Sequence, residues 1–198
     1  MHGMPDLLPL LGFALAGSVT PGPNVLMVAA GAASHGVRAV LPQMLGITFG
    51  FSARILLVGL GLAGPLAASE TLHGVLRLVA AAWLLWLSWK IATAPPPGEG
   101  PGRPPMGFAA AALFQWVNPK AWMVSGAAIA GYTVAGAPLL PQVGAIAAVF
   151  GAISMPCLLV WAGLGAGARR WLRSAAAMRR LNLAMGVLLA LSVLPLLR

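Results

Sequence analysis

The chain has 198 residues, of which 60% are hydrophobic and only 8% are charged. This charged fraction is roughly a third of that of a typical soluble domain, so the composition excludes a water-soluble globular protein and indicates a chain that lies mostly in a lipid bilayer. The net charge of +9 does not indicate a nucleic-acid partner, because five arginines crowd between residues 169 and 180 instead of covering a water-facing surface.

Six apolar stretches follow one another along the chain, each long enough to cross about 30 Å of hydrocarbon. They lie near residues 7–32, 40–63, 72–91, 107–131, 142–165 and 181–197. The first stretch continues far beyond a small-residue site near Ala16 that resembles a signal-peptide cleavage site, so we expect it to be retained as a span. The sequence therefore predicts an all-α polytopic membrane protein, with residues 1–198 forming a single transmembrane domain.

A linker rich in proline and glycine, at about 92–106, divides the six stretches into half-repeats at about 7–91 and 107–197. Lysine and arginine mark the first, third and fifth connections, and short basic connections stay in the cytoplasm. Both termini are therefore predicted outside, on the periplasmic side, and the two halves enter the membrane from opposite sides. This arrangement is that of an inverted repeat, which is typical of secondary transporters.

Each half carries an interruption in the middle of its first span, so the first and fourth helices are predicted to be broken. The two interruptions consist of Pro21, Gly22, Pro23 and Asn24, and of Asn118, Pro119 and Lys120. Proline removes a backbone donor, and unpaired backbone groups in hydrocarbon are costly unless protein or a wet cavity shelters them. Paired interruptions in corresponding spans indicate a transporter's binding site. The alternative is a pair of proline kinks that only shape helix packing.

Two cations, Arg54 and Lys120, lie deep in predicted spans, where a positive charge is costly unless something offsets it. For Lys120 the alternative is that its long stem extends to the membrane interface. The chain has only three acidic residues, Asp6, Glu70 and Glu99, and all are predicted at or outside the interfaces. An unpaired interior cation suits a substrate carboxylate, so we expect Arg54 or Lys120 to bind the carboxylate of an amino-acid-like solute.

At these same residues the sequence resembles the LysE/RhtB family of bacterial amino-acid exporters. The resemblance rests on the motif at residues 20–24, the following apolar helix and the motif at residues 118–121, and it extends from about residue 7 to residue 197. It implies export of amino acids or related small metabolites across the cell inner membrane, driven by the proton gradient and often by a homodimer. The family's motif positions fall on Pro21, Gly22, Pro23, Asn24, Asn118, Pro119 and Lys120.

Rival interpretations stay open at this point. A structural or assembly subunit of a membrane complex would use both interruptions only for packing. A membrane enzyme is disfavoured, because the spans offer no catalytic triad, metal-ligand cluster, phosphate loop or paired carboxylates. No cofactor or metal is expected, and the single cysteine, Cys157, excludes an internal disulfide. The expected partners are a small-molecule substrate and the lipid bilayer.

Overall fold

The protein is helical in the part of the chain that this computed structural model describes, namely residues 5–62, 70–93, 104–134, 136–171, 174–191 and 193. Within these ranges the α-helices are α1 (Leu7–Val19), α2 (Pro23–His35), α3 (Val37–Leu57), α4 (Glu70–Ala92), α5 (Phe108–Phe114), α6 (Pro119–Tyr132), α7 (Leu139–Trp171) and α8 (Ala175–Leu191). A π-helical turn, Val58–Leu62, continues α3 as far as Gly61, where a positive φ of 85° ends the regular helix.

Three of the six predicted spans have the length and composition of membrane-crossing segments. Val37–Gly61, in α3 and its π-helical turn, and Leu139–Ala168, in α7, qualify alone, and α1 and α2 qualify as a bent pair. The remaining three spans were predicted where α4, the pair of α5 and α6, and α8 lie. Their crossing of the membrane, like the inverted repeat, stays a prediction.

Proline and glycine break the first and fourth spans. α1 ends at Val19 and α2 begins at Pro23, with an angle of 52° between the two helices. Pro23 occupies the first turn of α2, where its missing N–H removes no helical hydrogen bond. In the fourth span residues 115–117 form a turn, and Pro119 opens α6 in the same way.

The two halves of the chain are interlocked. α2 and α3 pack most extensively against α7, α3 also packs against α5, and α4 packs against α8, whereas α6 packs sparsely against all its neighbours. Glycines allow the closest approaches. A Cβ atom on Gly46 would lie 2.2 Å from the carbonyl oxygen of Phe108, and one on Gly165 would lie 2.1 Å from that of Ala29. Such small residues let helix backbones approach each other in membrane proteins.

Two hydrophobic clusters fill the interior. The first includes Met44 of α3 and Leu158 of α7, and the second includes Ile146 and Phe150 of α7 together with residues of α1, α3 and α6. Large apolar side chains are also exposed on the outside of most helices, as at Leu8. An apolar exterior around an apolar interior suits a lipid environment.

The described residues of the arginine-rich segment, which the sequence analysis assigned to one short loop, are mostly helical. Arg169 and Arg170 belong to the last turn of α7, and Arg179 and Arg180 belong to α8. Arginine is a good helix former, so positive charge at the end of a span does not by itself end the helix. Residues 94–103 of the predicted linker and residues 192 and 194–197 of the sixth span lie outside the described residues.

Candidate functional site

The two interruptions lie against each other in the folded protein. The Nζ atom of Lys120, at the start of α6, donates a hydrogen bond to the carbonyl oxygen of Thr20, just after α1. Gly22 leaves room for this contact, because a Cβ atom there would lie 2.6 Å from Cδ of Lys120. Lys120 therefore bridges the two broken spans, and its ammonium group is held between them.

A second bridge joins the side-chain amides of Asn24 and Gln115. Nδ2 of Asn24 donates to Oε1 of Gln115 at 2.9 Å, and Nε2 of Gln115 donates to Oδ1 of Asn24 at 3.1 Å. Gln115 is fully buried, and its Nε2 also donates to the carbonyl oxygen of Ala111. Each such bond contributes about 0.5–1.5 kcal/mol, so the pair ties the start of α2 to the end of α5.

The half-helices α2 and α6 both start at the interruptions. α2 begins after Gly22, and α6 begins after Asn118, whose Oδ1 accepts a hydrogen bond from the Ala121 amide at 3.4 Å. Helix N-termini carry a partial positive charge and attract anions. Together with Lys120 they make this region electropositive.

A cavity of about 50 Å³ lies beside both bridges, where the two hydrophobic clusters meet. Its described lining residues are Gly17, Ser18, Gly22, Asn24, Val25, Ile47, Phe51, Asn118, Lys120, Ala121, Val124, Phe150, Ser154 and Leu158. A few polar groups in a mostly apolar wall are typical of small-molecule sites, whose volume is about 300–1,000 Å³. The cavity is far smaller and has room for only about one or two water molecules, so it is too small for such a solute in this conformation.

Arg54 lies behind the cavity wall. It is fully buried, and its Nη2 donates to the carbonyl oxygen of Ala121 and to Oγ of Ser125, the latter at 2.7 Å. Its guanidinium carbon lies 4.7 Å from the ring centroid of Trp122 and 5.5 Å from that of Phe51, within the range of cation–π attraction. The hydrogen bonds of Arg54 thus connect α3 to α6. Its Nε and Nη1 are buried donors without a partner among the described residues.

Aromatic rings connect the cavity to a surface groove near the start of α1. The centroid of the Phe13 ring lies 6.2 Å from that of Phe150, which lines the cavity, and 5.7 Å from that of Tyr132, which lines the groove. The hydroxyl of Tyr132 donates to the carbonyl oxygen of Pro9 at 3.1 Å. These rings form a row of aromatic contacts between the cavity and the groove.

The predicted site residues fall into two groups. Those that line the cavity are Gly22, Asn24, Asn118 and Lys120. Those that do not line it are Pro21, Pro23, Pro119 and Arg54. The roles of all eight in binding stay predictions. The sequence analysis missed Gln115, although an amide in an apolar stretch needs a hydrogen-bond partner and Asn24 was available to supply one.

Comparison with known proteins identifies the family to which this sequence is similar. A family model described as LysE type translocator matches residues 15–198. The cysteine/O-acetylserine efflux protein of Escherichia coli (strain K12) is 31% identical over 185 residues, which cover 89% of this chain and 90% of that protein. The efflux protein of the same name from Salmonella typhimurium is 34% identical over 140 residues, covering 70% of this chain and 68% of that protein. No solved structure matches significantly.

Proposed function

Because the chain belongs to the LysE type translocator family, we propose that it is a secondary transporter that exports amino acids or related small metabolites from the cytoplasm. Family membership and the apolar helices make it a multi-pass protein of the bacterial inner membrane. The observation that carries the proposal is the meeting of two broken spans at one cavity, with Lys120 bridging them. The same arrangement is the expected one for a transporter's midplane site.

Lys120 is the proposed partner of the substrate's carboxylate. An ammonium group has three donors, and only one is engaged by the carbonyl oxygen of Thr20. Pro21, Pro23 and Pro119 keep the two spans broken, so that the positive ends of α2 and α6 stay at the cavity instead of being absorbed into continuous helices. The carboxylate would thus meet a cation and two helix N-termini.

The remaining site residues hold this arrangement in place. Gly22 leaves space for the stem of Lys120, Asn118 caps α6, and Asn24 fixes the start of α2 through Gln115. Arg54 contributes a second positive charge from behind the wall. Its Nε and Nη1 have no hydrogen-bond partner among the described residues.

Transport requires this small cavity to widen and to open to one side of the membrane at a time. The contacts that must separate are the amide pair on one wall and the rings of Phe13 and Tyr132 on the path to the groove. We propose two inverted three-helix halves with both termini outside, a homodimer in the membrane, and the proton gradient as the driving force. The family resemblance supports these finer features.

The test is efflux from proteoliposomes that contain the purified protein. Vesicles loaded with cysteine, O-acetylserine and other small amino acids should release a subset of them when a proton gradient is imposed. Lys120→Ala and Asn24→Ala should abolish release without preventing insertion. The matched control is Lys90→Ala, because Lys90 stacks on Trp86, with Nζ 3.9 Å from the ring centroid, and does not line the cavity.

Three results would contradict parts of this proposal. Normal release by Lys120→Ala would remove the assigned role of that lysine. Release that ignores the proton gradient would indicate a passive channel. No release of any solute by well-folded protein would favour the rival function, a structural or assembly subunit whose interruptions serve only packing.

A further inference from the structure

We propose that the α-ammonium group of the cargo binds to the carbonyl oxygens of Gly17 and Ser18 at the C-terminal end of α1, while its carboxylate binds to Lys120. This proposal rests on the proposed export function and adds a second charge-binding position to it. The cavity would then recognise both charges of an α-amino acid zwitterion at one interruption of the first span.

The last turn of α1 leaves two carbonyl oxygens without the donors that a continuing helix would supply. The carbonyl oxygen of Gly17 would accept from the N–H of residue 21, but residue 21 is proline and has none. Thr20 is extended, with φ −57° and ψ 132°, as is usual before a proline. The chain therefore leaves the helix before the N–H of Gly22 can reach Ser18. Among the described residues none donates to either carbonyl oxygen.

Donors of the protein reach the carbonyl oxygens on either side of this pair. The carbonyl oxygen of Ala16 accepts from Oγ1 of Thr20 at 2.6 Å. That of Val19 accepts from Nε1 of Trp161 at 3.2 Å. The two residues between them both line the cavity. The C-terminal end of a helix carries a partial negative charge, so this free pair of oxygens suits a cationic group of the cargo.

Donors for a carboxylate line the same cavity. Lys120 uses only one of its three ammonium protons on Thr20. The backbone N–H groups of Asn24 and Val25 lie in the first turn of α2, which no side chain caps. Asn118 is 1% exposed, and its Nδ2 donates to no described residue. A buried amide without a partner is costly, so Asn118 indicates a ligand that supplies an acceptor.

The spacing of the two positions suits a small amino acid. A Cβ atom on Gly17 would lie 3.2 Å from Cγ1 of Val124, so this end of α1 lies beside α6. Val124 is four residues after Lys120, which corresponds to about 6 Å along a helix. None of the described residues that line the cavity is acidic. The carbonyl oxygens of α1 would therefore take the place of a carboxylate opposite the cargo's ammonium group.

The experiment is counterflow in proteoliposomes that contain unlabelled L-cysteine, with labelled L-cysteine and a competitor outside, under reducing conditions. 3-Mercaptopropionate is cysteine without the ammonium group, and cysteamine is cysteine without the carboxylate. A hydrogen bond to a charged group contributes about ten- to a hundredfold in binding. Each analogue should therefore compete at least about tenfold more weakly than unlabelled cysteine.

The variant Pro21→Ala tests where the ammonium group binds. It returns an N–H to residue 21 and removes the restriction on Thr20, so α1 can continue and occupy the carbonyl oxygen of Gly17 with its own donor. We expect cysteine to compete about tenfold more weakly in this variant, and 3-mercaptopropionate to compete as it does in the wild type. The matched control is Pro42→Ala in α3, because Pro42 is exposed and does not line the cavity. It should change neither competitor.

A second variant, Ser18→Asp, decides the question if Pro21→Ala does not fold. Ser18 lines the cavity and is only partly buried, so an aspartate there adds a negative charge with little disturbance of the core. Cysteamine should then compete about tenfold more strongly, relative to 3-mercaptopropionate, than in the wild type. An unchanged ratio between these two competitors would overturn the proposed ammonium site.

The outcomes separate this proposal from the export function. If 3-mercaptopropionate competes as well as cysteine in the wild type, or if Pro21→Ala weakens both equally, the ammonium site is overturned and export stands. If neither cysteine, O-acetylserine nor alanine shows counterflow, while the Escherichia coli relative reconstituted in parallel exchanges cysteine, both proposals are overturned.

Discussion

The substitution Gly22→Ala should reduce transport with little effect on folding. The backbone at Gly22 is extended, with φ −178° and ψ 179°, so alanine fits there without backbone strain. The new Cβ atom would lie 2.6 Å from Cδ and 3.2 Å from Nζ of Lys120, whereas carbon atoms in contact lie about 3.5–4.0 Å apart. The lysine stem must therefore retreat by about 1 Å or more, and Nζ leaves its position between the two broken spans.

The expected loss follows from the hydrogen bond that Lys120 makes at that position. A hydrogen bond to a charged group contributes about 1.5–3 kcal/mol, and each 1.4 kcal/mol corresponds to about a tenfold change. Efflux by Gly22→Ala should fall about ten- to a hundredfold, while the protein still folds and its detergent melting temperature drops by no more than the loss of this one bond explains. The control is Gly12→Ala, because a Cβ atom on Gly12 meets nothing within 4 Å. If Gly22→Ala exports as fast as this control, the lysine position does not matter and the reasoning fails.

Three further predictions concern the helix contacts around the cavity. A double-mutant cycle with Asn24→Ala and Gln115→Ala should give a coupling of about 1–3 kcal/mol in the free energy of unfolding. Additive effects of the two substitutions would show that the two side-chain amides do not stabilise each other. Gly46→Ala should destabilise by about 1–3 kcal/mol, because its Cβ meets a backbone oxygen. Gly126→Ala, which meets nothing within 4 Å, should melt like the wild type. Arg54→Met should keep its melting temperature, because a buried cation is costly to desolvate, yet lose efflux of the transported solute; unchanged efflux would exclude Arg54 from substrate binding.

Local features of the fold could be predicted from the sequence. Proline and glycine restrict or free the backbone at their own positions. The C-terminal end of α1 and the start of α6 can therefore be predicted from the residues at 21–23 and 119. Apolar length likewise predicted α3 and α7. The arginine-rich segment was harder, because its charge marks the end of a span while its helix propensity extends α7 to Trp171.

The partners of the site residues depend on tertiary packing and could not be predicted. The sequence left open whether Lys120 extends to the interface or turns inward, and it gave no sign that Nζ of Lys120 contacts the carbonyl oxygen of Thr20. Gln115 becomes significant only once Asn24 lies opposite it. Arg54 was expected to lie in the interior, but its position between Trp122 and Phe51 depends on how α3 meets α6.

The interlocked halves restrict how this protein can change shape. If each half turned as a rigid body, the backbone contacts at Gly46 and Gly165 would have to break together, since both lie between halves. α6 packs sparsely and follows the turn at residues 115–117, but it can move relative to the other helices only if its hydrogen bonds to Thr20, Arg54 and Pro9 break. Lys120 would travel with α6, and the cation that receives the cargo would itself be carried from one side of the barrier towards the other.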